Sequence, residues 1–596
     1  MDFICFDGET KNNKYVLFGN NNCYIKNKKG LSSIECFTWL WNELQTKDKP
    51  VIFRIEFDIN FWVIDFPNQK KIDLFNCKIV QWENFTLRYF RHKFLELRRD
   101  GKKKIIYDVY SFFNKSFLKV IKLLDIDLTI LEKEVLELGK KDRENNFKLM
   151  NEKEIILFNK NECIITSKIC DTIYVLMKKS YFFNQYHKEK DFYTTSFYGA
   201  SAIANKFLNN FDLQASNFTM MFTDDKIKKV IKSAYYGGRM EALKIGTFRY
   251  VFMYDINSSY PAAINELREI KNIYLKTDSF FIKDLKQIYK FMGVVDTNLY
   301  YISMEIFDIE MIGLLPIRHK SGMLFFPKKV KGWYYGIEVN QIIEYAKKYF
   351  IDVIILKEIV FELGDKIFNN EINTIYKQRV KLKQNDDIQH YIYKIMLNSI
   401  YGKFAQRVGS AKHQNFYYAG YITAKTRALL LKAVIKNPYD VIFFATDGIL
   451  IKKKLKVKQS LQLGFWEEKN IKIAKVILSG VYKLVDFNKK EYIGERGFRF
   501  DFDKSFNDII TIGKSEIETN LFITFKYGTK NHIKYGNKIL HFVKLVKTIT
   551  PTSNIKRYFS NFNLTKQIDS TIIDMSELKK LKDLRIDFSQ DKDIYE

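Results

Sequence analysis

The stretch Tyr439-Asp-Val-Ile-Phe-Phe-Ala-Thr-Asp-Gly-Ile-Leu-Ile451 decides how this chain is interpreted. Apolar residues on both sides of Thr446-Asp447-Gly448 predict two short strands joined by a tight turn, with a carboxylate at the tip. A single aspartate in a hairpin is more often structural than catalytic. Its meaning therefore depends on what else the chain offers.

A second strand pattern, Tyr250-Val-Phe-Met-Tyr-Asp-Ile-Asn-Ser-Ser-Tyr-Pro261, also delivers an aspartate, Asp255, near its end. Asp255 and Asp447 would together hold divalent cations. After Asp255 the backbone turns so that its amides can face a triphosphate, and Tyr260 offers a flat ring beneath a sugar. That ring would collide with a ribose 2′-hydroxyl, which favours deoxyribose.

A helical pattern lies between the two aspartates. In Lys394-Ile-Met-Leu-Asn-Ser-Ile-Tyr-Gly-Lys403, the residues Lys394, Asn398 and Tyr401 follow the i, i+4, i+7 spacing and share one face. A lysine for phosphate charge, an amide, and an aromatic ring for the base are the contacts that an incoming nucleotide requires. With the two aspartates they predict a two-metal nucleotidyl transfer site.

A basic helical pattern, Tyr376-Lys-Gln-Arg-Val-Lys-Leu-Lys383, precedes that helix and is separated from it by a predicted turn. Folded as a helical hairpin, the two arms would direct Lys381, or alternatively Arg379 or Lys383, at the same phosphates as Lys394. The other interpretation of the first arm is a solvated basic face.

Four further carboxylates form a separate set near the N-terminus. The first ten residues predict a strand followed by a carboxylate-bearing turn, with Asp7 and Glu9 on one face. Asp58 closes a second predicted strand, and Asp171 lies in a helical pattern over residues 165–181. Carboxylates from three segments suit a two-metal phosphodiesterase. Each of them alone is more often a turn or cap residue.

The composition limits the class of protein. With 596 residues, several domains are expected. The net charge of +29, from 98 basic and 69 acidic residues, suits a nucleic-acid partner, although an AT-rich genome would also enrich lysine. Six cysteines without a Cys-x-x-Cys pair argue against a zinc site and a disulfide framework. No apolar stretch approaches the roughly 18 residues of a membrane span, so we expect a cytoplasmic protein.

These residues resemble the family B DNA polymerases, and within them the protein-primed branch of bacteriophages and linear plasmids. An exonuclease set precedes the polymerase motifs, so the resemblance extends over most of the chain. The segment Lys394 to Gly402 is similar to the fingers motif over its whole length. Other segments resemble the first polymerase motif, the template-strand contact, the third motif, and the motif that joins the exonuclease and polymerase domains: Asp255–Pro261, Thr423–Arg427, Thr446-Asp447 and Tyr235-Tyr-Gly-Gly238.

The resemblance implies a role for each candidate residue. Asp255, Asp447 and the carbonyl of Ile256 would bind two Mg²⁺ ions, or Mn²⁺ in their place. The proofreading metal ligands would be Asp7, Glu9, Asp58 and Asp171. The nucleotide pocket would consist of Tyr260, Lys381, Lys394, Asn398 and Tyr401. The contacts to DNA would come from Phe57, Tyr235, Gly237, Gly238, Arg427 and Tyr482.

The sequence also departs from that family. Ala445 replaces the first of two aspartates in the third motif, and Gly448 stands where a serine is common. Arg54 occupies the place of an asparagine that touches single strands, and Ser167 that of a tyrosine four residues before the last exonuclease aspartate. Of a Lys-x-Tyr primer motif, Gly480-Val-Tyr482 keeps the tyrosine. We therefore expect weakened proofreading and altered metal affinity.

The expected fold class combines α/β and α+β domains, with an RNase H-like 3′-5′ exonuclease domain followed by a right-hand polymerase of palm, fingers and thumb. Residues 271–365 are expected to be irregular and to form an insertion for the terminal protein that primes synthesis. A short loop after Ala405 replaces a strand-displacement insertion, which argues against high processivity. The predicted limits are 1–195 for the exonuclease, 196–270 and 404–525 for the palm, 366–403 for the fingers and 526–596 for the thumb.

The predicted function is a DNA-directed DNA polymerase with a 3′-5′ proofreading exonuclease, replicating a linear viral or plasmid genome from a protein primer. Its partners would be template and primer DNA, dNTPs and a terminal protein, and the enzyme would be a monomer away from membranes. One alternative is a family B polymerase that extends ordinary nucleic-acid primers. Another is a DNA-binding exonuclease with a decayed polymerase site, against which the presence of Asp255, Asp447 and Lys394 argues.

Overall fold

The computed structural model describes the following residues: 3–12, 14–44, 49–143, 147, 150–180, 197–211, 213, 224–276, 293–407, 411–495, 500–525 and 542–574. The chain divides into two compact units, each formed from three segments. The first unit contains Met1–Asn210, Gln378–Ser399 and Thr519–Leu545. The second contains Phe211–Lys377, Ile400–Glu518 and Val546–Glu596. Of the predicted thumb, residues 526–541 and 575–596 lie outside the described residues.

A mixed sheet forms the centre of the first unit. The strand Phe3–Lys11 pairs in parallel with Lys49–Ile52, which pairs in parallel with Lys102–Asp108. The remaining neighbours in this sheet are antiparallel. The spatial order is Tyr24–Lys26, Lys14–Asn20, Phe3–Lys11, Lys49–Ile52, Lys102–Asp108, Phe94–Arg99, Phe85–Phe90 and Ile79–Trp82. Asp7 and Glu9 therefore lie on an inner strand of the sheet. The turn predicted to carry them is instead part of the strand Phe3–Lys11.

Helices cover this sheet, and the longest begins for a clear local reason. Asn151 accepts hydrogen bonds from the backbone amides of Lys153 and Glu154, while the Glu154 side chain caps Asn151 in return. The predicted helix at 165–181 is therefore part of a longer helix, Glu152–Lys178. The other helices here are Ser33–Glu43, Glu56–Trp62, Asn68–Phe75, Phe117–Leu124, Ile130–Arg143 and Ala200–Leu208, with a 3₁₀ turn at Tyr110–Phe112.

An antiparallel sheet forms the centre of the second unit, around the 13-residue strand Lys244–Ile256. Tyr254, Phe444 and Ile449 are completely or almost completely buried on this sheet. The spatial order is Glu491–Glu495, Val481–Asp486, Trp466–Leu478, Lys244–Ile256, Gly448–Ile451, Val441–Thr446 and Arg239–Ala242. The short strands Tyr558–Phe559 and Ile568–Thr571 extend it from one end of Lys244–Ile256.

The region predicted to be irregular, 271–365, is instead largely regular. Its antiparallel sheet has the order Arg268–Lys276, Ile351–Lys366, Leu299–Ile306 and Lys329–Tyr335. The helix Gly336–Ala346 follows Lys329–Tyr335 directly in the chain. Alternating burial along Leu299–Ile306 explains why it forms a strand, since one face contacts the core. Residues 277–292 lie outside the described part of the chain.

The two predicted fingers helices are confirmed as Glu371–Gln384 and His390–Phe404. The remaining helices are Asp225–Ala234, Ser259–Ile264, Phe416–Val434 and Phe502–Ile512, with 3₁₀ turns at Pro438–Asp440 and Pro551–Ser553. Small two-stranded sheets pair Ile317–Arg318 with Leu324–Phe325, and Ser515–Phe522 with Phe542–Ile549. Within the described ranges, none of the helices has the length and apolarity needed to cross a membrane.

Candidate active sites

The predicted hairpin is confirmed, and Asp447 is at its tip. The strands Val441–Thr446 and Gly448–Ile451 pair in antiparallel fashion with Asp447 alone between them. The turn is tight because the Asp447 amide donates a hydrogen bond of 2.7 Å to the Ala445 carbonyl, and Thr446 adopts a left-handed φ of 59°. A strained turn thus fixes the position of one carboxylate.

Strand pairing brings Asp255 beside this turn. In the antiparallel register Asp255 is opposite Gly448, and the Ile256 amide donates a hydrogen bond of 3.1 Å to the Asp447 carbonyl. A Cβ atom at position 448 would lie 2.7 Å from the Met253 Cε and 3.3 Å from the Asp255 Oδ1. Gly448 therefore gives Asp255 the room that a serine would occupy.

The ionised forms of Asp255 and Asp447 are both disfavoured at this site. Burial raises the pKa of Asp255, and the neighbouring charges of Asp447 and Glu467 raise it further, while Lys469 opposes them. Burial likewise raises the pKa of Asp447. Two crowded carboxylates of this kind fit a divalent cation, whose charge would offset both the desolvation and the mutual repulsion.

A cluster of tyrosines lies next to the hairpin in the second unit. The rings of Tyr260 and Tyr401 have centroids 4.7 Å apart, and the hydroxyls of Tyr235 and Tyr401 are 2.9 Å apart. A Cβ atom at Gly238 would lie 2.8 Å from the Tyr260 hydroxyl and 2.9 Å from the Thr446 methyl group. The structure thus brings together residues from the Tyr-Tyr-Gly-Gly segment, the first polymerase motif and the fingers helix.

The fingers helices carry the predicted cations. Lys381, Lys394 and Asn398 are exposed. Partial desolvation by neighbouring atoms lowers the pKa of Lys394, and nearby positive charges, which include those of Arg379 and Lys383, lower this pKa further. Arg379 and Lys383 are four residues apart on one face of Glu371–Gln384, whereas Lys381 points away from that face. Of the three alternatives in this arm, Arg379 and Lys383 are therefore the ones that act on Lys394.

The prediction that Arg427 contacts DNA is wrong, because the side chain is buried. It forms hydrogen bonds of 2.8 and 3.0 Å to the two carboxylate oxygens of Glu338. Its remaining terminal nitrogen donates to the backbone carbonyls of Tyr236 and Gly237, at 3.1 and 2.5 Å. Arg427 thus holds the Tyr-Tyr-Gly-Gly segment in place from the inside and has no surface to offer a template strand.

Tyr482, near Asp255, and Phe57, next to Asp58 in the chain, are both half-buried. Tyr482 stacks on Phe443 with ring centroids 4.6 Å apart, and burial together with the charge of Asp255 raises the pKa of Tyr482. Phe57 packs on Phe61, with centroids 5.2 Å apart. Both rings remain partly accessible beside the carboxylates, as a contact to a primer strand requires.

The N-terminal carboxylates lie beside a third acidic residue, Glu162, that was not among the residues predicted from the sequence. Among the described residues, Asp7, Glu9 and Glu162 form the group whose ligand atoms all lie within 4.8 Å of one another. Glu9 and Glu162 are buried, and Lys140 forms an ion pair with Glu162. Three converging carboxylates, two of them buried, fit a divalent cation.

Asp58 is buried, but the strand predicted to carry it ends at Ile52. Asp58 instead lies in the helix Glu56–Trp62 and accepts a hydrogen bond of 2.8 Å from the Tyr15 hydroxyl. The Trp62 indole donates to the same hydroxyl at 2.9 Å. Since a Cβ atom at Gly8 would collide with that hydroxyl, Tyr15 links Asp58 to the backbone between Asp7 and Glu9.

Asp171 is not in the carboxylate cluster. It lies nine residues after Glu162 on Glu152–Lys178, which places it roughly 13 Å further along the helix and about half a turn around it. Asp171 is accordingly exposed, whereas Glu162 faces the sheet. Phe158 precedes Glu162 by four residues, the aromatic spacing that Ser167 does not provide for Asp171. That spacing was the signal in the sequence that could have identified Glu162.

The fold and the two carboxylate centres define a multidomain enzyme of nucleotidyl transfer. Residues 68–426 match the model of the family DNA polymerase type B, organellar and viral, and the chain belongs to this family of metal-dependent, DNA-directed DNA polymerases. It is 24% identical over 496 residues to the DNA polymerase of Acidianus bottle-shaped virus (isolate Italy/Pozzuoli), covering 77% of this chain and 70% of that one. Over 334 residues it is 24% identical to the DNA-directed DNA polymerase of Enterobacteria phage PRD1, covering 54% of this chain and 50% of that one.

Solved structures agree with the fold class predicted from the sequence. The chain is similar to Phi29 DNA polymerase complexed with primer-template DNA and incoming nucleotide substrates, with a TM-score of 0.59 and 15% identity over 92% of this chain and 98% of that one. The orthorhombic crystal form of Phi29 DNA polymerase gives a TM-score of 0.60 at 15% identity, over 92% and 99% of the two chains. The fold is therefore an RNase H-like exonuclease domain followed by a right-hand polymerase.

Proposed function

We propose that this polymerase copies a linear genome from a protein primer and proofreads its product with a 3′-5′ exonuclease centre. The pairing of Asp255 with the Asp447 turn carries the polymerase part of this proposal. The cluster of Asp7, Glu9 and Glu162 supports the proofreading part. The domain limits predicted from the sequence belong to the same proposal.

In the polymerase centre, Asp255, Asp447 and the Ile256 carbonyl would hold two Mg²⁺ ions, with Mn²⁺ as a substitute. Such ions lower the pKa of a primer 3′-hydroxyl and neutralise charge on the reacting phosphate. Lys394, with Arg379 and Lys383, would bind the triphosphate of the incoming dNTP, and Lys381 and Asn398 lie on the same pair of helices.

The ring pair of Tyr260 and Tyr401 would form the floor of the nucleotide pocket. Tyr235, Gly237 and Gly238 would contact the primer strand, as would Tyr482 near Asp255. Arg427 would act on DNA only indirectly, through the backbone that it holds. The net charge of +29 supports DNA as the partner of these surfaces.

In the exonuclease centre, Asp7, Glu9 and Glu162 would hold the metal ions that activate water, with Asp58 fixed beside them by Tyr15. Phe57 lies next to Asp58 in the same short helix and would stack on the last base of a frayed primer. One chain carries both centres, so a monomer suffices for both reactions.

We infer that the priming protein binds the region 271–365, whose sheet and helix are separate from the strands that carry the aspartates. The viral origin of the Acidianus and PRD1 polymerases supports replication of a viral genome in the host cytoplasm. An enzyme that extends ordinary nucleic-acid primers is the second candidate. The short connection between Phe404 and Phe416 argues against high processivity and is compatible with either kind of primer.

The test uses purified full-length protein with Mg²⁺, dNTPs and a primed template. Wild-type protein is expected to extend the primer, and Asp447→Ala to abolish extension while primer degradation continues. Extension by Asp447→Ala would contradict the metal assignment. Priming is tested by covalent labelling of a small cognate protein with a radioactive dNMP on Ser, Thr or Tyr. Extension of DNA primers without such labelling would favour the second candidate.

A further inference from the structure

Within the first unit, a segment of the exonuclease region docks on the first turn of the fingers helix His390–Phe404. The Tyr391 hydroxyl donates a hydrogen bond of 3.0 Å to the Phe112 carbonyl. The Tyr391 ring stacks on Phe113, with centroids 5.9 Å apart and planes at 14°. Next to it, the Gln389 side chain donates to the Leu176 carbonyl at 3.3 Å. Tyr391 and Phe113 are both buried, so this contact is packed and specific.

This docking brings Lys115 of the exonuclease region close to Lys394 of the fingers helix. Lys115 follows Phe113 by two residues, and Lys394 follows Tyr391 by three, which is almost one helical turn. The charge of Lys115 is one of those that lower the pKa of Lys394, after crowding by neighbouring atoms and alongside Arg379 and Lys383. Cationic side chains from two other segments therefore lie near enough to Lys394 for their charges to act on it.

The charges that act on Lys394 are all positive. Such a group is unfavourable by itself and becomes favourable when a polyanion binds among its members. A solvated basic surface would let its side chains spread apart, but the buried ring of Tyr391 fixes the segment that carries Lys115. Cations held around Lys394 in this way suit a compact, highly charged ligand such as a triphosphate.

We propose that Lys115 is a fourth cationic ligand for the triphosphate of the incoming dNTP, and that Tyr391 is the positioning residue that holds it beside Lys394. This inference rests on the proposed role of the fingers cations in nucleotide binding. It gives a residue of the exonuclease region a direct part in polymerisation.

The test compares Lys115→Ala with Lys119→Ala, since both lysines are exposed and only four residues apart. Primer extension is measured at varied dNTP concentration. Lys115→Ala is expected to raise the KM for dNTP about three- to tenfold with kcat within about twofold, as for loss of one exposed charge contact. Lys119→Ala should match the wild type, Lys115→Arg should restore most of the affinity, and degradation of single-stranded DNA should be unchanged in all three.

Tyr391 supplies a readout that a merely structural role would not give. Tyr391→Phe keeps the stacked ring and loses the hydroxyl, whereas Tyr391→Ala loses both. If Tyr391 positions Lys115, then Lys115→Ala added to Tyr391→Ala raises the KM little further, so the two changes are not additive. Full additivity would overturn the positioning role.

Lys394→Ala separates this inference from the function on which it rests. If Lys394→Ala leaves the KM for dNTP unchanged, the fingers assignment itself fails. If Lys394→Ala raises the KM but Lys115→Ala does not, only the role of Lys115 is overturned. A parallel loss of single-strand degradation in Lys115→Ala would also overturn it and would assign Lys115 to the exonuclease strand instead.

Discussion

Arg427 and Glu338 form a buried ion pair with two hydrogen bonds, although they are 89 residues apart in sequence. Arg427 is 1% exposed and Glu338 is completely buried. Because the same guanidinium binds the carbonyls of Tyr236 and Gly237, the pair connects the helix Gly336–Ala346 to the Tyr-Tyr-Gly-Gly segment. A helix of the predicted priming-protein region is thus part of the support for the polymerase centre.

Removing one partner of this pair should destabilise the protein strongly. Glu338→Ala leaves the Arg427 charge buried without its carboxylate, and about 3–5 kcal/mol of unfolding free energy should be lost. Urea unfolding followed by tryptophan fluorescence measures the shift. Lys432→Ala is the matched control, because Lys432 is exposed on the helix Phe416–Val434 that carries Arg427. A change within about 0.5 kcal/mol for Glu338→Ala would show that the pair contributes nothing to stability.

Glu162 and Asp171 lie on the same helix, but only Glu162 is expected to be needed for exonuclease activity. Glu162→Gln should reduce degradation of single-stranded DNA at least about 100-fold, since it removes a metal-binding charge, while primer extension continues. Asp171→Asn should leave both reactions within about twofold, because an exposed surface change has little effect. Gel assays of both reactions with each variant measure this. Loss of degradation in Asp171→Asn with normal degradation in Glu162→Gln would restore the assignment made from the sequence.

The acidic residues of the two centres differ in how far the sequence alone identifies them. Asp255 and Asp447 could be found because each interrupts an apolar strand pattern, and strand pairing then brings such ends together. Glu162 is harder to identify, because a 27-residue helix carries acidic residues on all sides. The spacing from Phe158 is the one local signal for it in the sequence, and its packing on the sheet shows that it faces inward. Likewise, nothing local in the sequence shows that Arg427 has its partner at Glu338.

The metal-free polymerase centre should make stability depend on pH. The pKa values of Asp255 and Asp447 are raised in the folded state above the unfolded value of about 4. The folded protein therefore holds protons that the unfolded chain releases, and stability falls as pH rises from about 4 through the raised pKa values. In EDTA at pH 8, Asp447→Asn should consequently have a higher Tm than the wild type, and at pH 4 the two should agree.

Mg²⁺ supplies the control for that experiment. Binding to the folded state should raise the Tm of the wild type at pH 8 and should have less effect on Asp447→Asn. Glu269→Gln, which alters an exposed carboxylate, should follow the wild type throughout. The prediction is contradicted if Asp447→Asn in EDTA at pH 8 has a Tm equal to or below that of the wild type. The ionised carboxylates would then not destabilise the folded protein.

At position 445, restoring the aspartate of the family pattern should lower the stability of the protein. Its side chain packs against the apolar cluster that contains Phe443 and Leu450, and its strand partners are Gly448 and Met240. Ala445→Asp would place a third carboxylate two residues from Asp447 in partly apolar surroundings, where desolvation and repulsion both oppose its charge. We expect a lower Tm in EDTA and no gain in the rate of primer extension. Ala445→Ser, which adds a small uncharged group, is the matched control and should cost less. A faster Ala445→Asp enzyme would instead mean that the missing aspartate is a metal ligand that this chain has lost.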